Sequence, residues 1–211
     1  MPAELFESFE RKCAIKKHQA SRLHYDLRLE FDGVLLSWVI PEGPSCRAGE
    51  RRMAIEVGDH NPKYITSERV IPKGRYGAGP IMHWDGGSWV PLQGFEDVTK
   101  CLEMGYLKFE FNCQKLKGIW TLRRRQPGCQ NGRRPIWDLI KEPDAFARSA
   151  DTADIVVAEP NSISTGRTLE EIERDGNKAK PKPNSQMSLF GDEKIKRGVS
   201  RSRKNGGLDE S

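Results

Sequence analysis

The fold is decided by one stretch of alternating residues, Leu23-His24-Tyr25-Asp26-Leu27-Arg28-Leu29-Glu30-Phe31. Apolar side chains occupy every odd position and polar or ionisable side chains every even position, which predicts a β-strand with one buried face. The dipeptide Asp32-Gly33 interrupts this pattern, and a second strand pattern runs from Val34 to Ile40. The sequence therefore predicts two antiparallel strands joined by a tight hairpin turn.

Strand patterns recur along most of the chain. A third alternating stretch runs from Arg52 to His60, and shorter ones cover residues 81–84, 106–111, 118–123 and 137–141. Helical periodicity is limited to two short segments, 95–104 and 169–174. A closed barrel protects many short strands from having free edges, so we expect a mainly β protein built as a small antiparallel β-barrel with short flanking helices.

Composition divides the chain into three parts. Residues 1–150 hold nearly all of the aromatic side chains and are assigned to the barrel domain. Residues 151–176 are predicted to be a linker that includes a short helix. Residues 177–211 have nine Lys/Arg and four Asp/Glu, so this segment carries the whole formal net charge of +5. Its polar, basic composition predicts a disordered tail.

Cysteine usage and hydropathy predict a cytoplasmic protein. The five cysteines are widely spaced, include no CxxC pair and are odd in number, which favours a reducing compartment over a disulfide framework. The chain has no apolar run of signal-peptide or bilayer-spanning length. We therefore expect no membrane association.

One face of the first predicted strand carries the candidate chemistry. His24, Asp26, Arg28 and Glu30 share that face because side chains alternate along a strand. A solvated outer face is the simpler interpretation. However, His18 and His24 lie close in sequence beside Asp26, and two imidazoles with a carboxylate are a common ligand set for a divalent transition metal. The neighbouring Arg28 indicates an anionic substrate, above all a phosphate.

The third strand offers a second set of ionisable residues. Arg52, Glu56 and His60 share one parity, so they are predicted to face the first strand, although His60 is also consistent with an ordinary polar turn. Two other function classes stay open. A mononuclear iron oxygenase would use His24, Asp26 and His60 as its facial triad. A DNA-end or sliding-clamp adaptor without catalytic activity would use the basic tail.

Several motifs resemble one known family. The stretch Lys17-His18-Gln19-Ala20-Ser21-Arg22-Leu23-His24-Tyr25-Asp26-Leu27-Arg28-Leu29-Glu30 closely resembles the opening motif of the 3′-phosphoesterase domain of bacterial DNA ligase D. Further signatures of that family follow in family order, and the similarity extends from about Ile15 to Ala147. These signatures are Ser37 to Ser45, Gly58-Asp59-His60, Ile71 to Gly79, Trp84 to Trp89, Lys115 to Trp120 and Trp137 to Lys141.

The resemblance implies a fold, a site and an activity. The family fold is a small β-barrel with its site in a surface groove. Position by position, the resemblance implies a manganese ion held by His18, His24 and Asp26, a phosphate surrounded by Arg28, Arg52 and His60, and an active-site tyrosine at Tyr64. The implied chemistry acts on DNA 3′ ends, in primer-template or duplex form and with or without a ribonucleotide tip. It removes a terminal ribonucleoside, and then the 3′-phosphate, to leave a 3′-hydroxyl.

Two positions depart from the family pattern. Glu42 stands where the family usually has lysine, and Gly58 stands where it often has glutamate. We therefore expect some substrate contacts to differ from those of the family.

The tail adds a candidate partner. The segment Gln186-Met187-Ser188-Leu189-Phe190 resembles the short peptide by which bacterial repair proteins bind the sliding clamp, although a chance apolar cluster is an equally good account. Ku and a separate DNA ligase are further candidate partners.

Overall fold

The structure is a computed structural model that describes residues 10–125 and 134–178. Within these ranges the chain forms nine β-strands and three short α-helices. The strands are β1 (Arg11–Gln19), β2 (Leu23–Phe31), β3 (Val34–Ile40), β4 (Arg51–His60), β5 (Arg69–Ile71), β6 (Gly79–Pro91), β7 (Tyr106–Cys113), β8 (Lys117–Arg124) and β9 (Ile136–Lys141). The helices are α1 (Val98–Met104), α2 (Ile155–Ala158) and α3 (Leu169–Lys178).

The strands close into the barrel that the sequence predicts. The sheet order is β1-β2-β3-β4-β9-β8-β7-β6-β5, and β1 also pairs with β6. This second pairing joins the two sides of the sheet, so eight antiparallel strands form a closed ring and β5 lies beside β6 outside it. Gly79, where β6 begins, has φ of 134°, and a Cβ there would collide with the carbonyl oxygen of Gln19. Glycine is therefore required where β6 meets β1.

The β2–β3 hairpin has the bounds that the alternating pattern predicts. Phe31 pairs with Val34 across the turn, and Asp32 and Gly33 have φ values of 48° and 76°. Two consecutive residues with positive φ make the type I′ turn that matches the twist of a hairpin. The register therefore points Tyr25, Leu27 and Leu29 into the core and leaves the ionisable residues of β2 on the outer face.

The core is rich in aromatic side chains. All five tryptophans are at most 2% exposed, so they pack in the core. Many of their rings meet edge to face, as at Trp38 and Trp137, whose centroids lie 6.1 Å apart. Edge-to-face contacts add to the free energy gained by burying the large rings. The interior of the barrel is thus filled by side chains, and a binding site must lie on its surface.

One sequence prediction about β4 is wrong. Arg52, Glu56 and His60 were expected to share one strand face, but the register between β3 and β4 shifts between Leu35 and Ser37. Before the shift, Glu56 pairs with the core residue Trp38, whereas after it His60 pairs with Leu35 on the outer face. Such an irregularity inserts an extra residue and reverses the alternation. His60 therefore faces outward, whereas Arg52 and Glu56 share the inward-facing parity.

The segment 151–176, predicted as a linker with a short helix, packs against the barrel. It contains α2 and most of α3, and Ile155, Leu169 and Ile172 belong to the hydrophobic core. Among the described residues, no helix is long and apolar enough to cross a membrane. Most of the predicted tail, including the clamp-like peptide 186–190, lies outside the described residues.

Candidate metal centre

The three predicted metal ligands lie together on two neighbouring strands. His18 on β1 pairs directly with His24 on β2, and Asp26 follows two residues along the same face. Among the residues that the structure describes, these three form a group whose ligand atoms all lie within 4.8 Å of one another. Two ligands of one ion, each bonded at about 2.1 Å, lie at most about 4.2 Å apart. Small side-chain rotations therefore bring all three within reach of a single metal ion.

Backbone carbonyls orient both imidazole rings. Nε2 of His18 lies 2.9 Å from the carbonyl oxygen of Gly77, and Nδ1 of His24 lies 3.0 Å from that of Arg22. Each of these nitrogens donates its proton to the carbonyl, so Nδ1 of His18 and Nε2 of His24 are the atoms that would bind a metal ion. Nε2 of His24 is 3.9 Å from the Asp26 carboxylate. The residues therefore fit a divalent transition metal with nitrogen and oxygen ligands.

Burial favours the neutral form of one predicted ligand. His18 is 7% exposed, and this burial lowers its pKa below the usual value of 6.5, although the hydrogen bond to Gly77 acts in the opposite direction. The ring is therefore neutral at neutral pH, as ligation requires.

Arg28 and His60 meet at a shared hydroxyl group beside this centre. A guanidinium nitrogen of Arg28 lies 3.7 Å from the Asp26 carboxylate, and another donates to Oγ of Ser37 at 3.3 Å. Ser37 donates its own proton to the carbonyl of Leu35, so Nδ1 of His60, 3.1 Å from Oγ, is the donor in that contact. The buried Ser37 thus holds Arg28 and His60 on the same side of the predicted ligands.

The segment between β4 and β6, residues 61–78, crosses the outer face near the centre, and we call it the strap. The Lys16 ammonium group donates to the carbonyl of Ser67 in the strap at 2.9 Å. Burial, and then the charge of Arg28, lowers the pKa of Lys16 to about 7. Together with the bond from His18 to Gly77, this contact fixes the strap to β1 at two points.

Tyr64 lies on the strap and is flanked by two cations. Its ring centroid is 5.0 Å from the Lys63 ammonium group and 4.8 Å from the Arg69 guanidinium group. The side chain is partly open to solvent, with 36% of its surface exposed. Its role as an active-site residue stays a prediction of the family resemblance.

Arg52 contacts carboxylates of the surrounding loops. It donates to Glu50 at 2.9 Å and to the carbonyl of Glu42 at 3.3 Å, and it forms an ion pair with Asp154. Glu42, which replaces the usual family lysine, also places its carboxylate 3.7 Å from Arg52. The position of Arg52 at the phosphate therefore stays a prediction of the resemblance, whereas its ion pairs predict a role in stability.

We expect Arg52→Ala to lower the free energy of unfolding by about 2–3 kcal/mol. The change leaves Asp154 without its cation and leaves Glu50 with only the longer ion pair to Arg47, 3.8 Å away, and the partial exposure of both carboxylates keeps the loss below that of a fully buried pair. Urea denaturation measures the effect, with the exposed neighbour Arg51→Ala as a control expected within about 0.5 kcal/mol of wild type. Unchanged stability of Arg52→Ala would instead favour a role in substrate binding.

Three residues of the site were missed by the sequence analysis. Ser37 could have been predicted, because in the β2–β3 hairpin it pairs with Arg28 and so lies on the same outer face. Lys16 and Gly77 gave no comparable signal, since their contacts depend on how the strap folds over β1.

The fold and the site define a class: an antiparallel β-barrel protein with a two-histidine, one-carboxylate group on its outer surface. The family model of the DNA ligase D 3′-phosphoesterase domain matches residues 16–124. The chain therefore belongs to the family of the DNA ligase D 3′-phosphoesterase domain.

The similar proteins are much longer than this chain. A multifunctional non-homologous end joining protein LigD from Pseudomonas aeruginosa is 43% identical over 171 residues, which are 81% of this chain and 19% of that protein. The Mycolicibacterium smegmatis protein of the same name is 47% identical over 78 residues, 37% of this chain and 10% of that protein. A multifunctional non-homologous end joining DNA repair protein LigD from Mycobacterium tuberculosis is 45% identical over 75 residues, 36% of this chain and 10% of that protein.

Proposed function

We propose that the chain is a metal-dependent 3′-phosphoesterase that removes the phosphate from DNA 3′ ends and leaves a 3′-hydroxyl during end joining. The observation that carries this proposal is the grouping of His18, His24 and Asp26, with the Arg28 guanidinium group 3.7 Å from Asp26. The ligand set suits a divalent transition metal, and the guanidinium group suits a phosphate. Family membership and the names of the relatives support the end-joining context.

Manganese is the ion we propose for this site. When bound, such an ion supplies Lewis-acid polarisation of a phosphoryl oxygen and lowers the pKa of a water molecule that it binds. The protein contributes two imidazole nitrogens whose partner carbonyls fix their orientation, together with one carboxylate. A ligand set of this kind leaves coordination positions for water and substrate.

The neighbouring residues bind the phosphate and handle the proton. Arg28 donates hydrogen bonds to phosphoryl oxygens and offsets the negative charge that builds on them in the transition state. His60 in its protonated form donates to the oxygen of the leaving 3′ end. Ser37 contacts both residues and holds their relative positions. Each of these groups acts best in a site whose geometry is fixed before substrate arrives.

A gel assay of end healing tests the proposal. We expect the full chain with Mn²⁺ to convert a 3′-phosphate primer-template into its 3′-hydroxyl form, with release of inorganic phosphate, and EDTA to stop the reaction because it removes the ion. A matched primer-template with one 3′-terminal ribonucleotide measures the second activity that the resemblance implies. Absence of phosphate release with any divalent ion would refute the phosphoesterase proposal.

The same assay separates the two competing classes. An iron oxygenase needs dioxygen and a co-substrate, whereas the phosphoesterase needs neither. The geometry favours the phosphoesterase, because His18 takes the third position of the ligand group while His60 contacts Ser37. An adaptor binds DNA ends with strong salt dependence but without turnover. Binding to the clamp, Ku or a separate ligase is proposed on resemblance alone.

A further inference from the structure

The loop at the end of the strap, residues 72–78, exposes cationic and aromatic side chains beside the metal centre. Lys73, Arg75 and Tyr76 are all exposed, and Tyr76 is 92% open to solvent. An aromatic side chain with so little packing contributes little to the core. Packing in the core therefore does not explain the aromatic residue at this position.

The loop is held in a defined position. Arg75 donates its backbone N–H to Pro72, and Ala78 donates to Arg75, so two consecutive turns shape it. Gly77 accepts the hydrogen bond from the His18 ring, and a Cβ at Gly77 would already contact that ring at 3.5 Å. Tyr76 directly precedes Gly77, and neighbouring Cα atoms are about 3.8 Å apart. The backbone of Tyr76 is therefore held close to His18, a proposed metal ligand.

The charge of this surface is suited to a polyanion. From Arg69 to Trp84 the sequence has no acidic residue. Glu68, which precedes this stretch, is mostly buried and accepts from Ser162, Thr165 and Arg167. The cations of the loop therefore face solvent without an acidic neighbour in their own stretch of chain.

We propose that Tyr76 and Arg75 bind the unpaired nucleotides that precede the 3′ end, with Tyr76 stacking on a base and Arg75 contacting a phosphate. This inference rests on the proposed function, because it places the 3′ end at the metal centre. Exposed aromatic rings interleaved with cations are the usual means of binding a single strand without sequence preference. A paired duplex offers no free base face to such a ring, so Tyr76 stacks on a base only where the 3′ end is unpaired.

A binding experiment with the reaction product tests this surface without turnover. The probes are fluorescein-labelled single-stranded DNAs of twelve and three nucleotides that end in a 3′-hydroxyl, measured by anisotropy with the full chain. We expect wild type to bind the longer strand more tightly, and Tyr76→Ala to weaken that binding about tenfold, as loss of one stacked base does. Tyr76→Phe retains the ring and is expected within about twofold of wild type.

Arg75→Ala separates charge from stacking. It is expected to reduce the slope of log affinity against log salt by about 0.7, the value for one phosphate contact on a single strand. Phe146→Ala is the matched control, since Phe146 is a 52% exposed aromatic residue near the turn after β9. This control is expected to bind like wild type.

The outcomes distinguish this inference from the proposed function. Equal binding of the long strand by wild type and Tyr76→Ala, or no gain in affinity with strand length in wild type, would overturn the inference. If strand binding depends on Tyr76 while wild type releases no phosphate in the healing assay, the loop is a single-strand binding surface and the proposed phosphoesterase activity fails.

Discussion

Replacing His24 with alanine is expected to lower the rate of 3′-phosphate release about a thousandfold or more. The ligand group then keeps only His18 and Asp26, and a bound ion contributes several kcal/mol of transition-state stabilisation, at about 1.4 kcal/mol for each tenfold change in rate. Initial rates with saturating Mn²⁺ measure the loss, and a parallel Mn²⁺ titration measures the affinity. Both are expected to fall together.

A matched control lies on the same strand face. Glu30→Gln changes a charged residue four positions beyond Asp26, where the carboxylate contacts the backbone of Lys12 at 3.3 Å. We expect this variant to retain wild-type rates, because Glu30 lies outside the ligand group. Loss of turnover in His24→Ala with unchanged Mn²⁺ affinity would show that His24 is not a ligand.

Arg28→Ala is expected to lower the turnover number about 100- to 1,000-fold, the usual cost of removing one donor that stabilises the transition state. Arg28 lies 3.7 Å from Asp26 and 3.3 Å from Ser37, beside the proposed ion. Removing a positive charge next to a cation site does not weaken attraction for the cation. Mn²⁺ affinity is therefore expected to stay the same or to rise.

Arg28→Lys tests whether the shape of the guanidinium group matters. Lysine keeps the charge but loses the planar fork of donors, so we expect only partial recovery of the rate. Full recovery would reduce the role of Arg28 to charge alone. A parallel loss of Mn²⁺ affinity in Arg28→Ala would contradict a role at the phosphate.

The regular parts of the barrel were predictable from the sequence because one face of each strand is buried. The alternation in β2 and β3 predicts their bounds, and Asp32-Gly33 predicts the turn between them. Helix α1 was expected within residues 95–104, and Gly105 ends it in the left-handed conformation. In these elements the local pattern and the tertiary environment agree.

Strands β1 and β5 were not predictable from alternation, for two different reasons. In β1, Cys13, Ala14, Ile15 and Lys16 are buried in succession, with Cys13 and Ile15 in the hydrophobic core and Lys16 in contact with the strap. The register with β6 also shifts between Ile15 and Lys16, which breaks the alternation. β5 has three residues, too few to show a period.

The site was predictable only where its residues follow the alternation of a regular strand. His24, Asp26 and Arg28 share a face by simple alternation, and the strand pairing brings His18 opposite His24. The sequence did not reveal that Arg52 and His60 lie on opposite faces of β4. The register shift that reverses the alternation falls between Val57 and His60, and no sequence pattern marks it. The contacts made by the strap depend on positions distant in sequence, such as Lys16 with Ser67.

The position of the metal ion is the measurement that tests the central claim most directly. Crystals of the chain grown with Mn²⁺ give an anomalous difference map at the manganese absorption edge. We predict one peak about 2.0–2.3 Å from Nδ1 of His18, Nε2 of His24 and the carboxylate of Asp26. A peak ligated by His60 in place of His18, or one away from all three residues, would contradict the account.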